Sequence, residues 1–186
     1  MTQERVLGVS GSAGFIGRSL IKLATLEGYQ LVRVRLRGEM TRAQVSDALE
    51  RIVSRGGNSF IHLGWPASST PDYKFHKENE SASSLAVNTA QLCLEKSLNF
   101  FGIGSVAETM SDSTPYSASK AKTRLLLEGP ISEKRLTWCR PFYVFDSHSW
   151  PLFVRESRLK GTVSIKDDSP RDFIHVDDVA LSLIHI

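Results

Sequence analysis

Three segments carry side chains whose types and spacing suit chemistry. Tyr116-Ser117-Ala118-Ser119-Lys120 separates a phenol from an ammonium by four residues. On a helix that spacing places both groups on one face, one turn apart. A fixed cation near a phenol favours phenolate and brings the tyrosine within range of general acid/base work. The same spacing also describes an ordinary exposed helix pair. Gly11-Ser12-Ala13-Gly14-Phe15-Ile16-Gly17 is a G-x-x-G-x-x-G turn. Its glycines permit a tight turn, close approach of a pyrophosphate to backbone, and close packing of helix on strand, with the helix N-terminus facing the phosphates. A glycine-rich turn without a ligand is the bland alternative. Phe101-Gly102-Ile103-Gly104-Ser105 ends in small residues and leaves the Ser105 hydroxyl at the carboxyl edge of a sheet, where ligands bind. Alone, Ser105 reads as a turn cap. The order of the three along the chain is more specific than any one of them.

The elements that must position these groups follow from hydrophobic periodicity. Residues 6–10 form a short apolar run closed by glycine, and Phe15, Ile16, Leu20, Leu23, Ala24 and Leu26 fall at helical spacing up to the stop at Gly28. Residues 31–37 alternate, with Val32, Val34 and Leu36 on one side and Arg33, Arg35 and Arg37 on the other. A parallel strand buried on both faces would be apolar throughout, so this alternation predicts a half-exposed strand near the sheet edge. Thr41 caps a helix through Val45, Leu49, Ile52 and Val53, and residues 59–63 form a strand. A long helix is expected over 72–97, a strand over 100–104, a helix over 116–128 and a strand over 136–139. Strands alternating with helices of this length predict a parallel sheet covered on both faces, and the polar stretch 105–115 suits a loop above the strand ends.

Composition narrows the function classes. The chain has 186 residues, 41% hydrophobic and 23% charged, enough for one domain with a core. A net charge of +3 is too mild to imply a nucleic-acid surface. No apolar run approaches the ~20 residues needed to span a bilayer, and the start reads as a strand, so the expected location is cytoplasmic. Cys93 and Cys139 sit in apolar segments and read as buried hydrophobes; the five histidines lack ligand-like spacing, and no metal is expected.

Taken together these segments resemble the extended short-chain dehydrogenases, the NAD-dependent epimerase/dehydratase group that acts largely on nucleotide sugars. Ser10 and the glycine turn resemble T-G-x-x-G-F-I-G, and Phe60-Ile61-His62-Leu63-Gly64 resembles V-I-H-L-A. Gly104-Ser105-Val106-Ala107-Glu108 is similar to G-S-x-x-E-Y-G and precedes Tyr116 and Lys120. Arg140-Pro141-Phe142-Tyr143-Val144-Phe145 is similar to R-P-x-x-V-Y-G, and Arg171-Asp172-Phe173-Ile174-His175-Val176-Asp177-Asp178-Val179-Ala180 matches R-D-F-I-H-V-D-D-V-A. That last segment reads as structural, with Asp177 and Asp178 at a helix start.

The resemblance implies an α/β, doubly wound, mainly parallel Rossmann-type sheet with a truncated substrate-binding lobe. Residues 1–186 are expected to form a single NAD(P)-binding domain, with 141–186 the remnant of that lobe. It implies NADP or NAD held at Gly11, Gly14, Phe15, Ile16, Gly17, Leu63 and Lys120. Tyr116 would move a hydroxyl proton, Lys120 would bind the ribose and bias the tyrosine, and Ser105 would hold the substrate oxygen. The expected partners are a small-molecule substrate of the nucleotide-sugar kind and a second copy of the chain. That homodimer would form through helices 72–97 and 116–128, with Leu85, Leu92, Leu125 and Leu126 in contact.

Several departures qualify this. Thr109 and Met110 replace Tyr-Gly, and Gly104 stands where a serine is frequent. The distance from the second strand to His62 leaves room for one helix where the family has two connections and a third strand. No carboxylate ends the second strand, and Arg35 and Arg37 stand there instead, which favours a 2′-phosphate and hence NADP. The family continues well past the last segment, whereas Ile186 ends this sequence. The alternatives are therefore a weak or inactive dinucleotide-binding protein, used as a sensor or assembly subunit, or a fragment of a longer enzyme.

Overall fold

The computed structural model describes residues 5–65, 72–109, 114–147 and 172–185. Met110 and residues 148–171, which make up much of the expected lobe remnant, lie outside the described residues. Five parallel strands form the main sheet: β1 (Arg5–Ser10), β2 (Tyr29–Val34), β3 (Ser59–His62), β4 (Asn99–Ile103) and β5 (Leu136–Cys139), in the order β2-β1-β3-β4-β5. Strands consecutive in sequence are joined by helical crossovers. The helices are α1 (Phe15–Leu26), α2 (Arg42–Val53), α3 (Glu78–Glu95), α4 (Pro115–Leu126) and α5 (Glu128–Ser132). A second, two-stranded parallel sheet pairs β6 (Tyr143–Phe145) with β7 (Phe173–His175), and α6 (Val176–His185) follows it directly.

Strand alternation builds a core on each face of the sheet. Val6, Val32, Val34, Phe60, Phe100 and Leu136 point toward α2, α3 and α5, meeting Val45, Leu49, Ile52, Leu85, Leu92 and Ile131. Leu7, Val9, Ile61, Phe101 and Ile103 point the other way, onto Leu20 and Ala24 of α1 and Val179, Ala180 and Leu183 of α6. Burying such a side chain fully contributes about 1.5–3 kcal/mol, so the two layers together dominate the fold. Val176, Val179 and Ala180 of the R-D-F-I-H-V-D-D-V-A segment are therefore part of the buried interior. Asp177 lies in the first turn of α6 and accepts a hydrogen bond from Ser19 of α1.

The edge strand is the one predicted from its arginines: among the described residues β2 has β1 as its only neighbour, and a single helix, α2, carries the chain from it to β3. Two boundaries differ from the sequence reading. β2 ends at Val34, opposite Ser10, because β1 turns away at Gly11 and leaves Arg35, Leu36 and Arg37 without a ladder partner. The long helix starts at Glu78, not at 72. Asn79 Nδ2 donates to the carbonyls of Tyr73 (2.7 Å) and His76 (2.8 Å), taking acceptors that a helix continued to 72 would need.

Leu85 and Leu92 are buried under the sheet, so they are core and not a docking face, whereas Leu125 and Leu126 are 66% and 56% exposed. Cys93 is buried and Cys139 half-buried, and neither is in a disulfide. Among the described residues no helix is long and apolar enough to cross a membrane. Among them too, no group of three or more His, Cys, Asp or Glu could hold a metal ion.

Candidate functional site

The strand order reverses at β1, whose successors lie on opposite sides of it, and such a switch point opens a crevice at the carboxyl ends of the strands. Here that crevice measures about 920 Å³, bounded by Ser10, Gly11, Gly14, Arg35, Leu63 and Trp65 among others.

The three glycines of the turn do different work. Gly11 adopts φ +68°, and a Cβ on it would lie 2.6 Å from the Gly64 nitrogen. A Cβ on Gly17 would lie 2.2 Å from the Gly11 carbonyl oxygen, so Gly17 lets α1 press on the turn. Gly14 is exposed, and its Cβ would meet only the Gly11 oxygen, at 3.1 Å. It keeps the turn open on its solvent side. Gly14 is also the N-cap of α1, with no side-chain cap and no acid in the first turn, so the helix presents free N–H groups and its positive end. Arg18 adds a cation at the rim, its Nη1 donating to the Ala13 carbonyl at 3.0 Å. This cradle fits a pyrophosphate. Gly14→Val is expected to weaken cofactor binding at least tenfold, the equivalent of one lost charge-assisted contact of about 1.5 kcal/mol, while the fold survives. Calorimetric titration with a melting curve checks it, and Gly17→Val should instead lower the melting temperature.

The crevice lining runs from Ser10 to Gly14 and stops short of Phe15, Ile16 and Gly17. Phe15 and Ile16 open α1, half-buried, with Ile16 against the α1–α6 core, and their backbone N–H groups lie in the uncapped first turn of the helix. On the other wall stand Arg33, Arg35 and Arg37, all exposed, with Glu39 and Glu78.

Ser105, Tyr116 and Lys120 converge beside this crevice. Thr114 caps α4 by a reciprocal capping box with Ser117, and Pro115 takes the first helical position, which fixes Tyr116 in the first turn and Lys120 one turn on. The pair is not an exposed one: Lys120 is 4% exposed. Its Nζ donates to the Ile103 carbonyl at 2.5 Å and lies 3.8 Å from the centre of the Trp65 ring. Burial lowers its pKa to about 7, against the pull of the Glu108 carboxylate. Tyr116 is pushed up to about 12, because burial outweighs a hydrogen bond from Ser105 and because Tyr73 and Glu108 oppose phenolate. The expected bias of Tyr116 by Lys120 is thus not expressed in this arrangement. The ammonium is turned onto Ile103 and Trp65, 5.8 Å from the Tyr116 ring centre.

Ser105 caps a turn and also faces Tyr116. Its Oγ accepts from the Ala107 nitrogen at 3.2 Å, capping the short 3-10 turn Val106–Thr109, and its hydroxyl also reaches Tyr116. Glu108 secures this turn, accepting from the Ser105 nitrogen at 2.8 Å and from Trp138 Nε1 at 3.3 Å. The Gly104 departure has a cause here, since a Cβ on it would lie 2.2 Å from Glu108 Oε1 and 2.4 Å from Trp138 Nε1.

Three residues escaped the sequence reading. Trp65 separates the crevice from Lys120, and its ring meets Tyr116 edge-on at 6.2 Å. Tyr73 meets Tyr116 the same way at 5.1 Å. His62 lies buried beneath the glycine turn, its Nδ1 2.8 Å from Ser10 Oγ, while its Nε2 is the one buried side-chain polar atom without a partner among the described residues. Burial and the Lys120 charge lower its pKa to about 3. The tryptophan after Leu63-Gly64 was a visible signal, being a large aromatic at a strand end. Tyr73 carried none, because only the turn before α3 brings it in.

A model of the NAD dependent epimerase/dehydratase family matches residues 7–186. No curated protein sequence matches the chain. Among solved structures, a GDP-L-fucose synthetase from Naegleria fowleri bound to NADP is 15% identical, with a TM-score of 0.61, covering 99% of this chain and 73% of its own. UDP-N-acetylglucosamine 4-epimerase from Bacillus cereus is 13% identical, with a TM-score of 0.68 and coverage of 98% and 71%. UDP-glucose 4-epimerase from Brucella ovis in complex with NAD is 17% identical, with a TM-score of 0.63 and coverage of 97% and 72%.

Proposed function

The chain belongs to the NAD-dependent epimerase/dehydratase family, and on that premise we propose that it is an NAD(P)-dependent epimerase/dehydratase or reductase of a nucleotide sugar, working through Ser105, Tyr116 and Lys120. The observation that carries this reading is the convergence of a linked Ser105–Tyr116 pair and a buried Lys120 on the far side of Trp65 from the glycine-turn crevice. In this reading the cofactor is held by backbone at Gly11, Gly14, Phe15, Ile16 and Gly17, by Leu63, and by Lys120 at the ribose. A bound nicotinamide supplies or accepts a hydride.

The chain's own residues handle the proton. With its pKa near 12, Tyr116 keeps its hydroxyl proton at neutral pH and starts as a donor toward a substrate oxygen. Ser105, facing that phenol, favours the phenolate that donation leaves and in this reading holds the same substrate oxygen. Lys120, with a pKa near 7, carries a substantial share of ammonium at neutral pH, and a turn of its Nζ off the Ile103 carbonyl toward the Tyr116 hydroxyl brings that charge to the phenolate. The test is nicotinamide absorbance with a panel of nucleotide sugars. A chain that binds cofactor but changes no absorbance supports the second reading, a dinucleotide-binding sensor or assembly subunit. The position of Lys120 on Ile103 and Trp65 favours that reading. The remaining partners are a second copy of the chain, against Leu125 and Leu126, and the location is cytoplasmic.

Cofactor choice follows from the edge strand. Arg35 and Arg37 line the crevice just beyond β2, and each charge-assisted bond to a 2′-phosphate contributes about 1.5–3 kcal/mol. NADP is therefore expected to bind at least tenfold tighter than NAD at equal ionic strength, and Arg35→Ala with Arg37→Ala to erase the difference. Tighter binding of NAD in the parent chain contradicts this.

A further inference from the structure

We propose that Trp65 is a positioning residue for Lys120: its indole face carries the ammonium at the wall of the crevice, and Asn79 fixes the indole. The inference rests on the reading of Lys120 as a functional group of the crevice.

A buried ammonium needs compensation for the water it has lost. Lys120 has one carbonyl partner, that of Ile103, and no carboxylate within salt-bridge distance among the described residues. What remains is the Trp65 ring, with Nζ 3.8 Å from its centre, inside the range of a cation–π interaction and in the desolvated setting where such contacts are strongest. Tyr116 and Trp138 present their rings too, but at 5.8 Å each. The charged and titratable groups around the ammonium are Glu108 from the 3-10 turn, His62 from β3 and Tyr116 from α4.

The indole is not free to tilt. Its Nε1 donates to Asn79 Oδ1 at 2.8 Å, and Asn79 is buried. Because Asn79 Nδ2 donates to both the Tyr73 and His76 carbonyls, the amide cannot flip, and its oxygen has to face Trp65. A line of contacts therefore runs from the turn before α3 through Asn79 and Trp65 to Lys120 and the end of β4. Trp65 also lines the crevice, so the same ring that steadies the ammonium sets how far Lys120 reaches toward a ligand.

The test reads Lys120 directly. In a chain labelled with ¹³C-lysine, the Lys120 signal is assigned by its loss in Lys120→Met, and its titration is followed in the parent, Trp65→Phe and Trp65→Leu. The expected midpoints fall in that order, with Trp65→Leu about one pH unit below the parent because the ammonium has lost its π face. A midpoint unchanged or raised in a folded Trp65→Leu chain overturns the proposal. If that variant does not fold, a midpoint in Trp65→Phe equal to the parent's overturns it. NADPH titration is the second arm. Trp65→Leu should weaken binding about tenfold in the parent and little in the Lys120→Met background, whereas equal loss in both makes Trp65 a mere wall and refutes the positioning role. Absence of NADPH binding by the parent overturns the reading of the crevice, and the order of the titration midpoints still decides the role of Trp65.

Discussion

Tyr116→Phe is expected to lower turnover by about 10² to 10⁴, the usual worth of a positioned proton donor, while cofactor affinity stays within about twofold. The asymmetry follows from what the ring and the hydroxyl each do. The ring packs edge-on against Tyr73 and Trp65, and phenylalanine keeps both contacts. The hydroxyl faces Ser105, whose own oxygen stays engaged by the Ala107 nitrogen, so its loss strands no buried group. Stability should therefore change by no more than about 1 kcal/mol. Steady-state kinetics with a separate cofactor titration distinguishes the cases: a fall in kcat at unchanged affinity supports Tyr116 as the acid, and parental turnover in Tyr116→Phe excludes it. Lys120→Met should impair both quantities, because Lys120 is assigned to the ribose as well as to the phenol.

The parts of this site written in local sequence were legible, and the parts made by packing were not. The glycine turn, the strand-end serine and the Y-x-x-x-K spacing each depend on neighbours within a few residues, so spacing placed them correctly on turn, strand end and helix. The arginine alternation of residues 31–37 foretold an edge strand because burial on one face is a period-two property. Where that strand ended was decided by β1, fifty residues from β3 but paired with both, and no local pattern in β2 records it. The helix start at Glu78 turns on Asn79 capturing two nearby carbonyls, a side-chain bond that hydrophobic periodicity does not record, whereas the surroundings of Lys120 are made by Trp65 and Ile103, which lie far from it in sequence. Charge attraction read along one helix suggested a lowered phenol pKa. Burial, which only the assembled fold confers, reversed the sign.

The same burial makes stability depend steeply on pH, and the direction can be worked out group by group. His62 has its pKa lowered from 6.5 to about 3 in the fold, so between those values the unfolded chain binds a proton that the native one does not. Stability then rises with pH through that window and is lost as pH falls toward 3, by on the order of 5 kcal/mol for this one group. Lys120, lowered from 10.5 to about 7, has the same sign in the next window, so stability should keep rising from about pH 7 toward 9, above which the buried Cys93 thiol, raised from 9.0 to about 12, works the other way. Tyr116 acts oppositely above that, since its pKa is raised from 10 to about 12 and the unfolded chain loses its proton first. Urea unfolding at pH 4, 7 and 9 is thus expected to give midpoints that climb throughout, and His62→Gln to flatten the lower interval. Lys120→Met is the sharper test. At pH 6 it removes the cost of an ammonium buried with one carbonyl partner, so it should be more stable than the parent by a few kcal/mol, an advantage that shrinks toward pH 10. A variant with the parent's slope between pH 7 and 9 would show that Lys120 is not the titrating group. Gained stability coupled to lost cofactor binding would instead identify Lys120 as a charge that the fold tolerates for what it does in the crevice.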